Sequence, residues 1–185
     1  MRTRVWISTC AVLTAVGAAA GYGFSQGQGA PVQRFEPGGF LAEVEVVVPV
    51  DPQRAWTSFT EDLPRWWDHA FSGQPENLRF EARPGGGFVE DFDAGGDGAR
   101  HATVTYVERG RLLRFVGSLG LSGKGIQIEH ELTFTPEGDA TRVHLTIIGW
   151  GRMLEDWPET VRSVWNHFLV ERYAPYVRGE LRSRG

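Results

Sequence analysis

The sequence predicts an α+β fold in which a curved antiparallel sheet of seven strands packs against a long carboxy-terminal helix, with two short helices after the first strand. Three observations predict it. Seven runs alternate apolar and polar residues, Gly-rich breaks separate the last six of these runs, and the final segment spaces its apolar residues by three and four. Strands and helices that are grouped separately along a chain are typical of the α+β class.

The first strand runs directly into the first helix. Within residues 41–50, apolar side chains occupy every second position from Ala42 to Val48, which predicts strand one. Asp51 has a side chain suited to capping a helix start, and Pro52 lacks the amide hydrogen that a helix start leaves unpaired. A first helix is therefore predicted to begin at Pro52.

A second short helix is predicted at residues 61–71, with Asp62 as its cap. It contains Trp66 and Trp67, which supply more aromatic area than a short surface helix needs. We therefore expect another part of the chain to cover these two rings.

Six more strands and one long helix complete the domain. The breaks between the strands, RPGGG, AGGDG, LGLSGKG and PEGDA, have the composition of tight turns. The strands are predicted at residues 78–82, 87–93, 100–109, 112–117, 126–135 and 141–149. The helix is predicted at residues 159–182, and Pro175 is expected to kink it.

Residues 1–20 have the pattern of a secretory signal peptide. Arg2 and Arg4 precede an uncharged apolar run that ends in three Ala residues, so we expect cleavage after Ala20 and a periplasmic or secreted chain. An uncleaved anchor is the alternative, but the run is shorter and more polar than the roughly 20 apolar residues that span a bilayer. Cys10, the single cysteine, lies in this run, so no cysteine chemistry is expected after cleavage.

Residues 21–40 are rich in Gly, Gln and Pro and are expected to form a flexible linker, which leaves residues 41–185 as one domain. The net charge of −4 includes no block of like charge, so a nucleic acid is not an expected partner. Loss of the two Arg residues of the signal segment would take this charge to −6, which disfavours an anionic membrane surface. No stable membrane insertion is expected after cleavage.

No cofactor and no metal are predicted. The Gly-rich breaks lack the strand-to-helix context that a phosphate-binding loop needs. We identify neither a His-X-His motif nor a pair of metal-ligating side chains four residues apart on a helix.

The order of elements, together with VDPQRAW, LPRWW, RPGGGF, RLLRFVGSLG and VWNHFLVERYAPYV, resembles the START-like or SRPBCC superfamily, also called helix-grip. Within it, the sequence looks most like the branch named after activators of the heat-shock-protein ATPase. The resemblance covers about residues 41–182 and implies a deep cavity between the sheet and the long helix. It implies no catalytic residue, because members bind lipids, polyketide intermediates or other apolar molecules, and only some are cyclases, hydrolases or chaperone partners.

Alternation along the strands and spacing along the helix indicate which side chains face this cavity. In residues 126–135, four apolar residues share a face with His130, which is therefore expected inside. The same argument leaves His101 and His144 on the outer face of the sheet. The predicted lining consists of Trp66, Trp67, Phe88, Glu90, Phe92, Tyr106, Phe115, Ile128, His130, Leu132, Trp165, Phe168 and Arg172.

Three of these residues have a structural alternative. His130 is either a ligand contact or acid–base group, or a core histidine satisfied by a neighbouring hydroxyl or carbonyl group. Glu90 faces the cavity if Phe88 and Phe92 do, or lies at the sheet rim if the register shifts. Arg172 reaches the cavity rim or extends to water.

Two classes of function compete, and a third follows from the resemblance. A binding protein for a small hydrophobic or amphipathic molecule needs only an apolar pocket with a few polar groups, and it is the favoured interpretation. A cyclase or hydrolase would use His130 as its acid or base. A co-activator of a chaperone ATPase is the third, although the expected export separates it from a cytosolic partner, and no protein partner can be named.

Overall fold

The computed structural model describes Val32 and residues 34–181. The chain divides into residues 1–34 and 35–185, and the second unit is the folded domain. The predicted signal peptide lies outside the described residues, as does most of the predicted linker. None of the helices in the described part of the chain is long and apolar enough to cross a membrane.

The domain contains one antiparallel sheet of seven strands, as predicted. The strands are β1 Pro37–Val48, β2 Leu78–Phe80, β3 Gly87–Asp91, β4 Gly98–Glu108, β5 Leu112–Val116, β6 Ile126–Glu137 and β7 Ala140–Arg152. Their spatial order is β1-β7-β6-β5-β4-β3-β2. Every pair of adjacent strands is therefore consecutive in sequence except the pair of β1 and β7. Short turns join β2 to β7 into a meander, and β1 returns to pair with β7.

Strand β1 begins at Pro37, so its first four residues belong to the segment 21–40 that was predicted as linker. The extension has a partner, because Pro37 to Phe40 pair with Gly149 to Arg152 of β7. Gly149 leaves room for this pairing, since a Cβ there would lie 2.2 Å from the Phe40 ring. The length of β7, the pairing partner of β1, therefore sets where the linker ends, and local composition does not show this length.

Helix α1 spans Pro52–Thr60 and begins as predicted, since the Asp51 carboxylate accepts a hydrogen bond of 2.9 Å from the Arg54 amide. Helix α2 is shorter than predicted. It spans only Leu63–Trp66, because the backbone of Trp67 is extended, and residues 67–74 form a loop instead of more helix.

The carboxy-terminal helix is continuous from Trp157 to Val177 but changes its winding. It consists of an α-helical segment, α3 (Trp157–Asn166), a π-helical segment (His167–Tyr173) and a final turn, α4 (Ala174–Val177). The π-helical segment ends two residues before Pro175, which has no amide hydrogen to donate to the preceding turn. The kink expected at Pro175 stays a prediction.

The core lies between the concave face of the sheet and the three helical elements. Trp56, Trp66, Trp165 and Tyr173 are its largest fully buried side chains. Buried polar groups tie the elements together, because the Trp66 indole donates to the Ser58 carbonyl at 2.9 Å and the Tyr173 hydroxyl donates to the Ala55 carbonyl at 2.7 Å. Trp66, one of the predicted cavity residues, is therefore core.

Candidate functional site

A cavity of about 440 Å³ opens between the loop after α2, the strands β3 and β4, and the carboxy-terminal helix. We call it the loop cavity. It is lined by Trp67, Asp68, His69, Ala70, Phe71, Gly73, Phe88, His101, Leu119, Gly120, Val164 and Phe168. Three residues of the predicted lining, Trp67, Phe88 and Phe168, are among them.

Aromatic rings form one wall of the loop cavity. Trp67 stacks on Phe168 with ring centroids 3.6 Å apart and planes 11° from parallel. The edge of Trp67 meets Phe88 at 5.1 Å. Leu119 contributes from the opposite side and has a φ of +47°, a left-handed conformation that is uncommon for leucine. The wall is thus apolar and held in place by packing.

A buried carboxylate, Glu90, lies behind this wall with 1% of its surface exposed. It accepts hydrogen bonds from the backbone amides of Phe71 at 3.0 Å and Ser72 at 2.6 Å. Its Oε2 also lies 3.0 Å from Nε2 of His101. Glu90 therefore anchors the loop and one imidazole of the loop cavity, but it is not among the residues that line this cavity, where it was predicted.

The charge state of Glu90 follows from these contacts. Burial would raise its pKa, but the hydrogen bonds from Ser72, Phe71 and His101 outweigh this effect, so the pKa of Glu90 is lowered. An ionised carboxylate can only accept, so Nε2 of His101 donates to it. Nδ1 of His101, which has no hydrogen-bond partner among the described residues, is then available to a ligand in the cavity.

His101 reaches the cavity because β4 contains a β-bulge. Phe88 pairs with Ala102, but Val89 pairs with Arg100, so His101 is the extra residue. A bulge reorients a side chain that regular alternation would place on the other face. The prediction that His101 is a solvent-exposed histidine on the outer face is therefore wrong, since only 9% of its surface is exposed.

A second bulge in β4 turns Tyr106 away from the cavity, where it was predicted to lie. Val104 pairs with Phe115 and Tyr106 with Arg114, so Thr105 is the extra residue and the next side chain moves to the outer face. Tyr106 is 39% exposed, hydrogen bonds to Glu108 and lies under the Arg114 guanidinium. Phe92 is also outside the cavity, with 42% exposure, because β3 ends at Asp91.

The remaining predicted residues are buried in the core and do not line the loop cavity. They are Phe115, Ile128, His130, Leu132 and Trp165. His130 stacks on Phe115 at 4.6 Å, and neither of its ring nitrogens has a well-formed hydrogen bond, although a weak interaction with the Phe115 backbone acts against burial. Burial lowers the pKa of His130 to about 3, so the imidazole is neutral near pH 7.

Another concavity, of about 360 Å³, lies on the outer face of the sheet around Thr105. The exposed ion pair between Arg114 and Glu131 flanks it. Exposed ion pairs of this kind contribute little to stability. The buried residues Phe115 and His130 also border this concavity, but the ion pair beside it is exposed, whereas the polar pair beside the loop cavity, Glu90 and His101, is buried. The loop cavity is therefore the candidate site.

Four polar side chains meet at the rim of the loop cavity. Asp68 Oδ1 lies 2.8 Å from His69 Nδ1 and 3.0 Å from His167 Nε2. Arg172 Nε lies 3.1 Å from Asp68 Oδ2 and also donates to the Trp66 carbonyl at 3.2 Å. Arg172 is therefore held beside the loop cavity by Asp68, but it is not among the residues that line the cavity.

The comparisons with known proteins place the chain in a family. Residues 40–174 match the family model described as polyketide cyclase/dehydrase and lipid transport. The chain belongs to this family. A comparison with curated proteins gave no match.

Solved structures share the helix-grip fold of this cyclase and lipid transport family. The AHSA1-like protein from Aeromonas hydrophila is 19% identical, with 79% of this chain and 99% of that chain covered and a TM-score of 0.53. Mll3558 from Rhizobium loti is 20% identical, with 74% and 99% covered and a TM-score of 0.52. DynU16, from the dynemicin biosynthetic locus, is 24% identical, with 78% and 49% covered and a TM-score of 0.57. At these identities the likeness shows the fold alone.

Sequence reasoning missed Asp68, His69, His101 and His167 as site residues. The adjacent Asp68 and His69 directly after the paired tryptophans were one available signal. The other was the spacing of His167 and Glu171, four residues apart on the carboxy-terminal helix and in contact at 3.0 Å. The statement that no such pair exists on a helix is therefore wrong.

Proposed function

We propose that this member of the polyketide cyclase/dehydrase and lipid transport family binds a small apolar or amphipathic molecule in the loop cavity. The observation that carries the proposal is an aromatic-walled cavity of about 440 Å³ beside a buried, ionised Glu90 that orients His101. Such a combination of apolar walls with a few oriented polar groups is typical of small-molecule sites, whose volumes run from about 300 to 1,000 Å³.

The polar groups define the ligand's chemistry. In the tautomer in which Nε2 of His101 donates to Glu90, Nδ1 accepts a hydrogen bond and favours a ligand hydroxyl that donates to it. The stacked pair of Trp67 and Phe168 offers a flat apolar wall, which favours a planar or unsaturated body. We therefore infer a ligand with an apolar, ring-containing body and a hydroxyl or phenol at one end.

The first prediction concerns binding of an apolar fluorescent probe. N-phenyl-1-naphthylamine should bind the folded protein saturably with a Kd of about 1 µM, equivalent to roughly −8 kcal/mol. The Val164→Trp variant should weaken this binding by about tenfold or more, because Val164 lines the cavity yet is 43% exposed, so a larger ring fills the space without entering the core. Fluorescence titration measures both affinities.

The matched control is Ile148→Trp, which changes a similarly exposed aliphatic residue on the outer face of the sheet. It should leave probe affinity unchanged. If Val164→Trp and Ile148→Trp bind the probe equally well, the probe does not occupy the loop cavity and the proposed site is wrong.

Acid–base catalysis is the second candidate function, and the Glu90–His101 pair favours it. A carboxylate that fixes the tautomer and orientation of an imidazole leaves the other ring nitrogen as a base that can take a proton from a bound substrate. The predicted base was His130, which does not line the loop cavity. We therefore propose His101, which lines the loop cavity, as the base of this second function.

A proton-exchange experiment tests this second function. The protein should accelerate exchange of the acidic α-protons of 2-tetralone with D₂O, because a positioned base contributes about 10²- to 10⁴-fold to proton transfer. Proton NMR follows the exchange. His101→Gln should abolish the acceleration, whereas His144→Gln, on the outer face, should retain it; equal rates with and without protein would exclude this activity toward ketones.

Export of the chain and interaction with a chaperone ATPase remain predictions. The segment on which export depends lies outside the described residues. Likeness to the AHSA1-like protein shows a common fold and supports no shared partner.

A further inference from the structure

The geometry points to a binding site for a divalent transition-metal ion at the rim of the loop cavity, formed by Asp68, His69 and His167. One ligand atom from each of these side chains lies within 4.8 Å of the other two. Two imidazole nitrogens and one carboxylate are a ligand set suited to zinc, iron or cobalt. The inference goes beyond the proposed function, which requires no metal.

The spacing of the donor atoms suits one small ion. Ligand atoms about 2.0 to 2.2 Å from a zinc ion lie roughly 3 to 3.5 Å from one another. Asp68 Oδ1 is 2.8 Å from His69 Nδ1 and 3.0 Å from His167 Nε2. The three ligand atoms all lie within 4.8 Å of one another, so a single ion could be placed among them.

The contacts around these ligands also fit a metal site. His167 Nδ1 lies 3.0 Å from the Glu171 carboxylate, an arrangement that orients a metal-binding imidazole and raises its basicity. Arg172 Nε contacts Oδ2 of Asp68 at 3.1 Å, and His167 Nε2 lies almost equally far from both oxygens, at 3.0 Å from Oδ1 and 3.1 Å from Oδ2. Oδ1 is therefore the oxygen that both imidazoles contact. His167 is the first residue of the π-helical segment, and such segments often mark functional positions.

The position of the site gives it a role in ligand binding. Asp68 and His69 are part of the wall of the loop cavity, so an ion held by them would lie against its space. Three protein ligands leave at least one coordination position open. A hydroxyl or carbonyl oxygen of a molecule in the cavity could take that position, at the opposite side of the wall from His101.

The competing interpretation is a hydrogen-bonded cluster that holds protons in place of a metal. The same atoms would then be joined by protons on His69 and His167, with Asp68 accepting them. The two interpretations differ in whether the protein takes up one equivalent of metal.

Isothermal titration of the tag-free full-length chain with ZnCl₂ tests the inference, supported by visible absorption of bound Co²⁺. The background is Cys10→Ser, because the single cysteine could bind zinc by itself. We expect one equivalent to bind with a Kd of 1 µM or tighter. His69→Gln and His167→Gln should each weaken binding by about 100-fold or more, and Glu171→Gln by about tenfold.

His144→Gln is the matched control, because His144 is a half-buried outer-face histidine that lies 3.6 Å from a carboxylate, that of Glu43. It should bind metal like the parent chain. His69 is suited to substitution because its side chain is 70% exposed, and circular dichroism checks that each variant is folded. Absence of saturable uptake, or uptake that survives both His69→Gln and His167→Gln, would overturn the metal site.

The result is independent of the proposed function. Binding of N-phenyl-1-naphthylamine is measured on the His167→Gln protein without metal, because His167 is not among the residues that line the loop cavity. Retained probe binding with lost metal binding separates the two, and loss of probe binding in the parent chain would count against the cavity proposal alone.

Discussion

The His130→Phe variant should unfold with a higher free energy than the parent protein, by about 1 to 3 kcal/mol at pH 7. His130 is 1% exposed and stacked on Phe115, and neither of its buried ring nitrogens has a well-formed hydrogen bond; a weak interaction with the Phe115 backbone only partly offsets burial. Leaving a polar group buried and unpaired costs about this much, and phenylalanine removes the cost while keeping a ring against Phe115. Urea unfolding followed by circular dichroism measures the difference.

The advantage of the variant should grow as the pH falls. Burial lowers the pKa of His130 to about 3 from the ordinary 6.5, so between these values the unfolded chain binds a proton that the folded chain does not. Stability of the parent protein therefore falls as pH decreases through this window, and phenylalanine abolishes that loss. The full effect is on the order of 4 to 5 kcal/mol near pH 3.

His130→Leu repeats the test with a smaller side chain in case the larger ring overpacks the site. His144→Gln should show no such pH-dependent gain. Parallel stability curves for His130→Phe and the parent chain between pH 6.5 and 4 would show that His130 has a partner in solution, such as water, and would contradict the prediction.

Replacing Glu90 with Ala should be strongly destabilising, by roughly 3 kcal/mol. It would leave the amides of Phe71 and Ser72 and the ring of His101 without their shared acceptor, and each buried donor left unpaired costs about 1 to 3 kcal/mol. Because Phe71 and His101 line the loop cavity, probe affinity should fall with stability. Urea unfolding and the fluorescence titration measure the two effects.

The Glu90→Gln variant separates the effect of the carboxylate's charge on stability from the effect of the side chain's shape. The pKa of Glu90 is lowered on folding, so the carboxylate contributes stability above the unfolded-state value near 4.5, and this contribution is lost as the pH falls below it. The variant should be less stable than the parent chain at pH 7, and the gap should narrow below about pH 4. Glu129→Gln, on the outer face of β6, is the control; a gap that stays constant with pH would show that charge is not involved.

Strand alternation and helix spacing were sufficient to predict the architecture and part of the interior. In β6 the alternate residues from Ile126 to Phe134, including His130, are all buried as predicted. This works because the pleat of a regular strand sends successive side chains to opposite faces, so the apolar pattern alone selects the inner face. The carboxy-terminal helix could also be predicted from local sequence, since its apolar residues are spaced by three and four and form one stripe.

The ends of elements needed more than local pattern. Residues 67–74 carry a helical composition but form a loop, because Trp67 turns its ring onto Phe168 of a helix one hundred residues later in the chain. The energy of that packing, which depends on a distant segment, outweighs the weak helical preference of a short stretch.

The candidate site was decided by tertiary structure. Alternation alone determined that β4 has an inner face, but two bulges in β4, visible only in its pairing with β3 and β5, bring His101 inward and turn Tyr106 outward. Asp68 and His167 meet although 99 positions separate them. Composition and periodicity thus determined the sheet, the helices and the buried face, whereas strand register and long-range packing decided which polar groups converge, because those contacts depend on the partners of each segment and not on its own residues.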